Sequence, residues 1–342
     1  MSVPVFKPYI NRKDMDSVLS CLVSEKLENN QISKQLCSDI CKTIGADEGF
    51  LFKEYRRAIE IVLMSIEAES RKYVVLSPLL PIYYKLAIEE AGLKPLYIDV
   101  DPGTATISYD KLNNAINNND GFIHSIIIDS PFGYMTEITK ITELGIPLIE
   151  DISNSFGASI EEKKSGSFGD YIIMNMDPDK IITAGTGTFV AVKSKKNRDM
   201  LRNRVLEYDK DIFLPDLNAA LAINQVNNLE KIIKARNDIA AIYSQAVMKT
   251  KNKIFVQSNN SSNAFTAFPV IAESSTKEIK KYALKKGVEV LDAFSDSIIN
   301  KFAISECPEA KTLNMRCIIF PLYPNISKNN IEKIVKIIST LP

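Results

Sequence analysis

The sequence predicts an α/β fold: a large, doubly wound, mainly parallel sheet domain followed by a smaller C-terminal α/β domain. Three observations carry this. Six short runs are apolar throughout rather than alternating: residues 73–76 (Tyr-Val-Val-Leu), 95–98 (Pro-Leu-Tyr-Ile), 125–128 (Ser-Ile-Ile-Ile), 146–149 (Ile-Pro-Leu-Ile), 171–174 (Tyr-Ile-Ile-Met) and 188–192 (Thr-Phe-Val-Ala-Val). An uninterrupted apolar strand suits a sheet covered by helices on both faces. Helical segments lie between the early runs, and residues 56–69 and 82–90 carry apolar side chains at three- and four-residue spacing. Gly92 supplies a C-cap for the second of these helices. Beyond Pro215 the pattern changes to one long amphipathic stretch reaching about Met248, with Leu229, Ile232, Ile233, Ile239 and Ile242 on its apolar face. A helix of that length can join a large domain to a small one. The polar run from Gln257 to Asn263 reads as a surface loop, and residues 328–341 as the closing helix. The expected division is 1–230 and 231–342, with the N-terminal segment packing on the small domain.

Composition narrows the class. With 342 residues, 45% of them hydrophobic, the chain can bury a large core without disulfide or metal staples. Its 42 basic and 42 acidic side chains cancel, so no field of one sign draws it toward nucleic acid or an anionic membrane. Cys21, Cys37, Cys41, Cys307 and Cys317 are odd in number and contain no C-x-x-C pair, and there is one histidine, His124. That set argues for reduced thiols, against a metal site, and for a cytoplasmic protein. The opening Met-Ser-Val-Pro-Val-Phe-Lys lacks a secretory pattern, and no stretch is long and apolar enough to span a membrane.

Three stretches can carry chemistry. Asp151, in Pro147-Leu-Ile-Glu-Asp-Ile-Ser-Asn154, follows directly on an apolar strand and so belongs at the carboxyl end of the sheet, where open α/β folds place ligands. It either caps the next helix or faces a ligand's ring nitrogen. Lys180, in Met176-Asp-Pro-Asp-Lys180-Ile-Ile-Thr-Ala-Gly-Thr-Gly187, sits in a turn between two apolar strands and faces the same sheet end. It is either a solvated surface charge or a nucleophilic amine whose pKa desolvation lowers. The third stretch is Phe52-Lys-Glu-Tyr-Arg56, where a helix begins. Helix N-termini bind phosphate, yet no glycine here lets the backbone approach an anion, so a charged helix start at the surface is the better reading of these residues alone.

Several ordered motifs resemble the DegT/DnrJ/StrS family of pyridoxal-phosphate (PLP)-dependent nucleotide-sugar aminotransferases, which are fold-type I transferases with a large seven-stranded sheet domain. Ala91-Gly-Leu-Lys-Pro-Leu-Tyr-Ile-Asp-Val-Asp-Pro102 is similar to the family's strand-entry run, Ile149-Glu-Asp-Ile-Ser-Asn-Ser-Phe-Gly-Ala158 to its acidic segment, and Gly166-Ser-Phe-Gly-Asp170 to the following turn. Val3-Pro-Val-Phe-Lys-Pro-Tyr-Ile opens the chain as the family's entry segment does, and Cys307-Pro-Glu-Ala-Lys with Ile319-Phe-Pro-Leu-Tyr-Pro324 resembles its closing motif. The resemblance implies that Lys180 forms the Schiff base and that Asp151 pairs with the pyridine nitrogen. It further implies a homodimer that moves an amino group from an amino-acid donor to a nucleotide-linked keto-sugar, with Lys180 shuttling the proton. The remaining cofactor supports depart from the pattern. The family's Ser-Gly-Thr phosphate turn aligns with Glu54, Tyr55 and Arg56, its ring-stacking aromatic with Ile82, its ring-face Gln or His with Asn154, and the serine before its lysine with Asn175. The Asn and Arg that reach across the dimer align with Asp211 and Phe213. A second reading follows: a PLP-free member acting as a binding or partner subunit in sugar modification.

Overall fold

The structure is a computed structural model, which describes residues 2–24, 30–68, 71–119, 121–136, 138–258 and 260–341. Seven strands form the main sheet: β1 (Glu48–Phe52), β2 (Tyr73–Leu76), β3 (Lys94–Tyr97), β4 (Ile123–Asp129), β5 (Leu148–Asp151), β6 (Tyr171–Asn175) and β7 (Thr188–Val192). Their spatial order is β1-β7-β6-β5-β4-β2-β3. From β3 to β6 every pairing is parallel, and only β7 runs against its neighbours β6 and β1.

The continuous apolar runs have the expected cause. Ile127, Ile149, Ile173 and Val190 pack on one face with Ala58, Ile59 and Val62 of helix Tyr55–Ser65. Ile126, Ile128 and Leu148 pack on the other with Leu112 of helix Tyr109–Asn118, and Ile172, Met174 and Phe189 with Leu36 and Ile40 of helix Gln31–Ile44. Successive strand residues point to opposite faces, so both registers must be apolar when both faces are covered.

The smaller antiparallel sheet has β8 (Phe268–Ile271), β9 (Leu291–Asp292) and β10 (Cys317–Phe320), with β10 central. Val3 bridges to Val288 in this part of the chain, and the backbone N–H of Val5 donates to Glu289 Oε2 at 2.9 Å. Buried Arg236 ties the long helix Leu229–Val247 to this sheet, donating to the carbonyls of Phe265, Thr266 and Leu322 at 2.7, 3.2 and 2.9 Å.

Three sequence expectations change. The stretch from Pro215 to Met248 is two helices, Asp216–Asn227 and Leu229–Val247, broken at Asn228. There the Asn228 side chain donates to the Asn224 carbonyl at 2.8 Å, a local bond that competes with helix continuation. The helix expected over 56–69 runs from Tyr55 to Ser65, and its expected last residue, Glu69, lies outside the described residues, as does Asn259 of the polar loop. Strand β1 was not among the expected runs, because only Phe50, Leu51 and Phe52 are apolar after Glu48 and Gly49. A Cβ at Gly49 would meet the Phe189 ring at 2.5 Å, so the bare backbone is what lets the edge strand close over β7.

Two of the motifs prove to be structural. Glu150 is buried and accepts the N–H groups of Gly166, Phe168 and Gly169 at 2.7, 2.9 and 2.8 Å, which fixes the Gly166–Asp170 turn against β5. Asp99 accepts the N–H groups of Glu309 and Ala310 at 3.2 and 2.9 Å, joining the strand-entry motif to the N-terminus of helix Pro308–Arg316. Two buried donors and one partly buried donor left without a partner are costly, so Glu150→Ala is expected to lower stability by about 3 kcal/mol in urea unfolding. An unchanged midpoint would show that the turn is held by other contacts.

Candidate active site

β4, β5 and β6 are adjacent parallel strands, and each ends in a polar side chain: Asp129, Asp151 and Asn175. Asp129 and Asp151 are register partners. The shared direction of the strands brings all three side chains to one edge of the sheet, and the turn from β6 into antiparallel β7 carries Lys180 back over the same edge. A cavity of about 430 Å³ opens there, lined by Asp129, Asp151, Asn154, Asn175, Lys180 and Tyr55, among others. That volume suits a small-molecule ligand.

Asp151 is 6% exposed and saturated with donors. Its Oδ1 accepts from the Ser153 N–H at 2.8 Å and from the Ser153 hydroxyl; its Oδ2 accepts from the Tyr55 and Tyr84 hydroxyls at 2.6 and 2.9 Å. Burial first, and then the Asp151 carboxylate, push the Tyr55 and Tyr84 hydroxyls well above their ordinary range. The same two causes raise Asp129 from 3.8 to about 8, so near neutral pH it is largely protonated, and the pair avoids placing two full charges side by side. Asn175 donates to Asp177 Oδ2 at 2.8 Å and accepts from the Asp177 N–H at 3.1 Å, which orders the turn leading to the lysine. Lys180 Nζ is paired with Asp179 Oδ2 at 2.9 Å, and its side chain is 18% exposed. The desolvated lone amine expected from the sequence therefore has a carboxylate partner.

The predicted site residues divide. Lys180, Asp151, Asn154, Tyr55 and Asn175 are brought together around the cavity. Arg56 is not: its guanidinium meets Glu90 at 3.4 Å in an exposed pair on the outer surface, because adjacent residues at the helix start point in different directions. Ile82 is also outside the cavity wall, where its neighbours Pro81 and Tyr83 stand instead. Asp211 and Phe213 lie beside the chain's own β1, with the Phe213 ring stacked on Phe52 at 5.9 Å.

Sequence reasoning missed Tyr84, Ser153 as a ligand of Asp151, the Asp179 partner of Lys180, and Asp129. For Asp129 the signal was present, since it ends an apolar run just as Asp151 does. Tyr84 gave none, because a tyrosine on an apolar helix face looks like core. The cavity also counts Asp177, Asp179, Asp292 and Asp296 among its lining, making, among the described residues, six aspartates against one basic residue, Lys180. Among the described residues no helix is long and apolar enough to cross a membrane, and no cluster of three or more His, Cys, Asp or Glu could hold a metal ion.

Sheet order and strand directions are those of the fold-type I PLP-transferase architecture. A family model for the DegT/DnrJ/EryC1/StrS aminotransferases matches residues 8–339, and the chain belongs to that family. It is similar to the GDP-perosamine synthase of Escherichia coli O157:H7, at 21% identity over 96% of this chain and 95% of that one. Among solved structures, the Helicobacter pylori aminotransferase PseC, involved in pseudoaminic acid biosynthesis, aligns with a TM-score of 0.89 at 15% identity, covering 99% of this chain and 98% of its own. A Streptococcus pneumoniae protein assigned to the sugar aminotransferases aligns in its PLP form with a TM-score of 0.89 at 16% identity, over 99% of this chain and 98% of its own.

Asp129 makes stability depend on pH. Its proton is retained in the folded state between about pH 4 and pH 8 and lost in the unfolded one, so stability falls as pH rises through that window and levels off above it. Asp129→Asn removes this penalty. It is expected to raise the melting temperature by roughly 2–4 °C at pH 8 and to leave it unchanged at pH 4; equal shifts at both values would contradict the raised pKa.

Proposed function

We propose that this protein is a sugar aminotransferase in which Lys180 is the amine that would hold the carbonyl carbon of pyridoxal phosphate and Asp151 the acid that would face its ring nitrogen. The observation that carries the reading is the convergence of these two residues on one cavity at the carboxyl end of a parallel sheet. The described residues fit the reactive end of the cofactor, which needs an amine and a buried, oriented carboxylate. The phosphate end is less well provided. The helix start that brings Tyr55 to the cavity is capped by Glu54 with no side-chain hydrogen bond, and Arg56 is turned away to Glu90.

When bound, pyridoxal phosphate supplies an electron sink for bond breaking at the amino-bearing carbon. The chain's own residues do the rest. Asp151, fixed by Ser153, would supply the negative charge that keeps a ring nitrogen protonated. Lys180 Nζ takes up and returns a proton, and Asp179 Oδ2 holds its ammonium in the resting state. Asn175 and Asp177 set the turn that aims the lysine. By analogy with its relatives, the acceptor is a nucleotide-linked sugar and the donor an amino acid. A homodimer is part of the same proposal.

One observation favours a second reading, a PLP-free binding or partner subunit. Every acceptor position of Asp151 is taken by protein donors, and the cavity is strongly acidic. Spectroscopy separates the two. Purified protein given pyridoxal phosphate should develop the visible band of a bound imine, lose it on borohydride reduction, and carry the reduced adduct on Lys180; Lys180→Ala should show none of this. Protein that stays colourless and takes up no cofactor would overturn the aminotransferase reading.

A further inference from the structure

A carboxylate has two oxygens with two acceptor directions each, and at Asp151 all four are used: two by Ser153, one by Tyr55 and one by Tyr84. A protonated ring nitrogen can therefore approach this acid only if one donor leaves. Ser153 cannot leave cheaply. Its N–H is backbone, and its hydroxyl also accepts the Asn175 N–H at 2.8 Å, which locks it to the end of β6. Tyr84 cannot leave either, since it is 0% exposed within helix Ile82–Glu90 and belongs to the main core. Tyr55 is held less firmly, although its hydroxyl also lies 3.1 Å from that of Tyr84. It is the first residue of its helix, is only half-buried, and lines the cavity, with one ring edge toward the exposed Tyr83 at 6.0 Å between centroids.

We propose that Tyr55 is a gate on cofactor loading, whose phenol competes with the ring nitrogen of pyridoxal phosphate for Asp151 Oδ2. This rests on the reading of Lys180 and Asp151 given above. With the hydroxyl at 2.6 Å from Oδ2, the buried acid is fully hydrogen-bonded without cofactor. Loading then requires the Tyr55 side chain to rotate off Asp151. Apparent affinity is reduced by the fraction of molecules in which it has done so. Glu54 and Tyr55 act together here: one withholds a cation or hydroxyl from the phosphate end, the other holds the ring end.

The test measures pyridoxal-phosphate dissociation constants by equilibrium dialysis for wild type, Tyr55→Phe and Tyr55→Ala, with the borohydride-reduced adduct mapped by mass spectrometry. Thermal unfolding without cofactor accompanies it, so that the Phe variant carries the test if the Ala variant is unfolded. The expected order is wild type weakest, Phe tighter, and Ala at least about tenfold tighter than wild type, with the adduct on Lys180 throughout. Cofactor-free Tyr55→Phe should also melt below wild type, because Asp151 loses a donor, yet gain more on adding cofactor. Equal constants in all three proteins with the adduct on Lys180 would overturn the gate and leave the aminotransferase reading standing. No uptake by any of the three would overturn both.

Discussion

A buried carboxylate must be satisfied, and the satisfaction of Asp151 governs how this site is read. An isolated charge at that depth would be far too costly to keep, and the chain meets the cost with four hydrogen bonds drawn from three parts of the fold. Ser153 comes from the turn after β5, Tyr84 from the helix after β2, and Tyr55 from the start of the helix after β1. The acid therefore anchors the cavity wall before any ligand arrives. The same bonds make it a contested partner, because a ligand that wants Asp151 must displace something already there.

The location of that acid follows from sheet topology. Parallel strands present their carboxyl ends together, so one polar residue placed after each apolar run is enough to line a cavity with side chains remote in sequence. Asp129, Asp151 and Asn175 arise in this way, and the antiparallel turn into β7 adds Lys180. Covering both faces of the sheet removes solvent from the strands, and Asp129 shows the electrostatic consequence in its pKa of about 8. Glu150, one residue before Asp151, points to the opposite face and holds a turn instead. Neighbouring acids in one motif thus have different roles: one structural, one facing the cavity.

What the sequence made legible was periodicity and punctuation. Apolar runs without alternation identified six of the seven main strands, Gly92 marked a helix end, and the acid after residues 146–149 pointed to the ligand edge. The edge strand β1 was hidden because its apolar part, Phe50 to Phe52, is only three residues long and follows Glu48 and Gly49, and the break at Asn228 because an asparagine inside an amphipathic pattern does not announce its bond to Asn224. At the site, strand-end residues were readable while partners were not. Whether Lys180 meets Asp179, or Arg56 meets Glu90, depends on side-chain direction that residue order leaves open. Tyr84 reaches Asp151 from 67 positions away, a distance at which only the folded topology specifies contact.

The central claim is that Asp151 serves either the phenol of Tyr55 or the ring of a cofactor carried by Lys180. A crystal structure of the protein saturated with pyridoxal phosphate and reduced with borohydride tests it most directly. The account predicts density continuous with Lys180 Nζ, a ring nitrogen within hydrogen-bond distance of Asp151 Oδ2, and Tyr55 rotated off that oxygen while Tyr84 and Ser153 stay in place. An unmodified Lys180 still paired with Asp179, with Tyr55 still on Asp151, would contradict it.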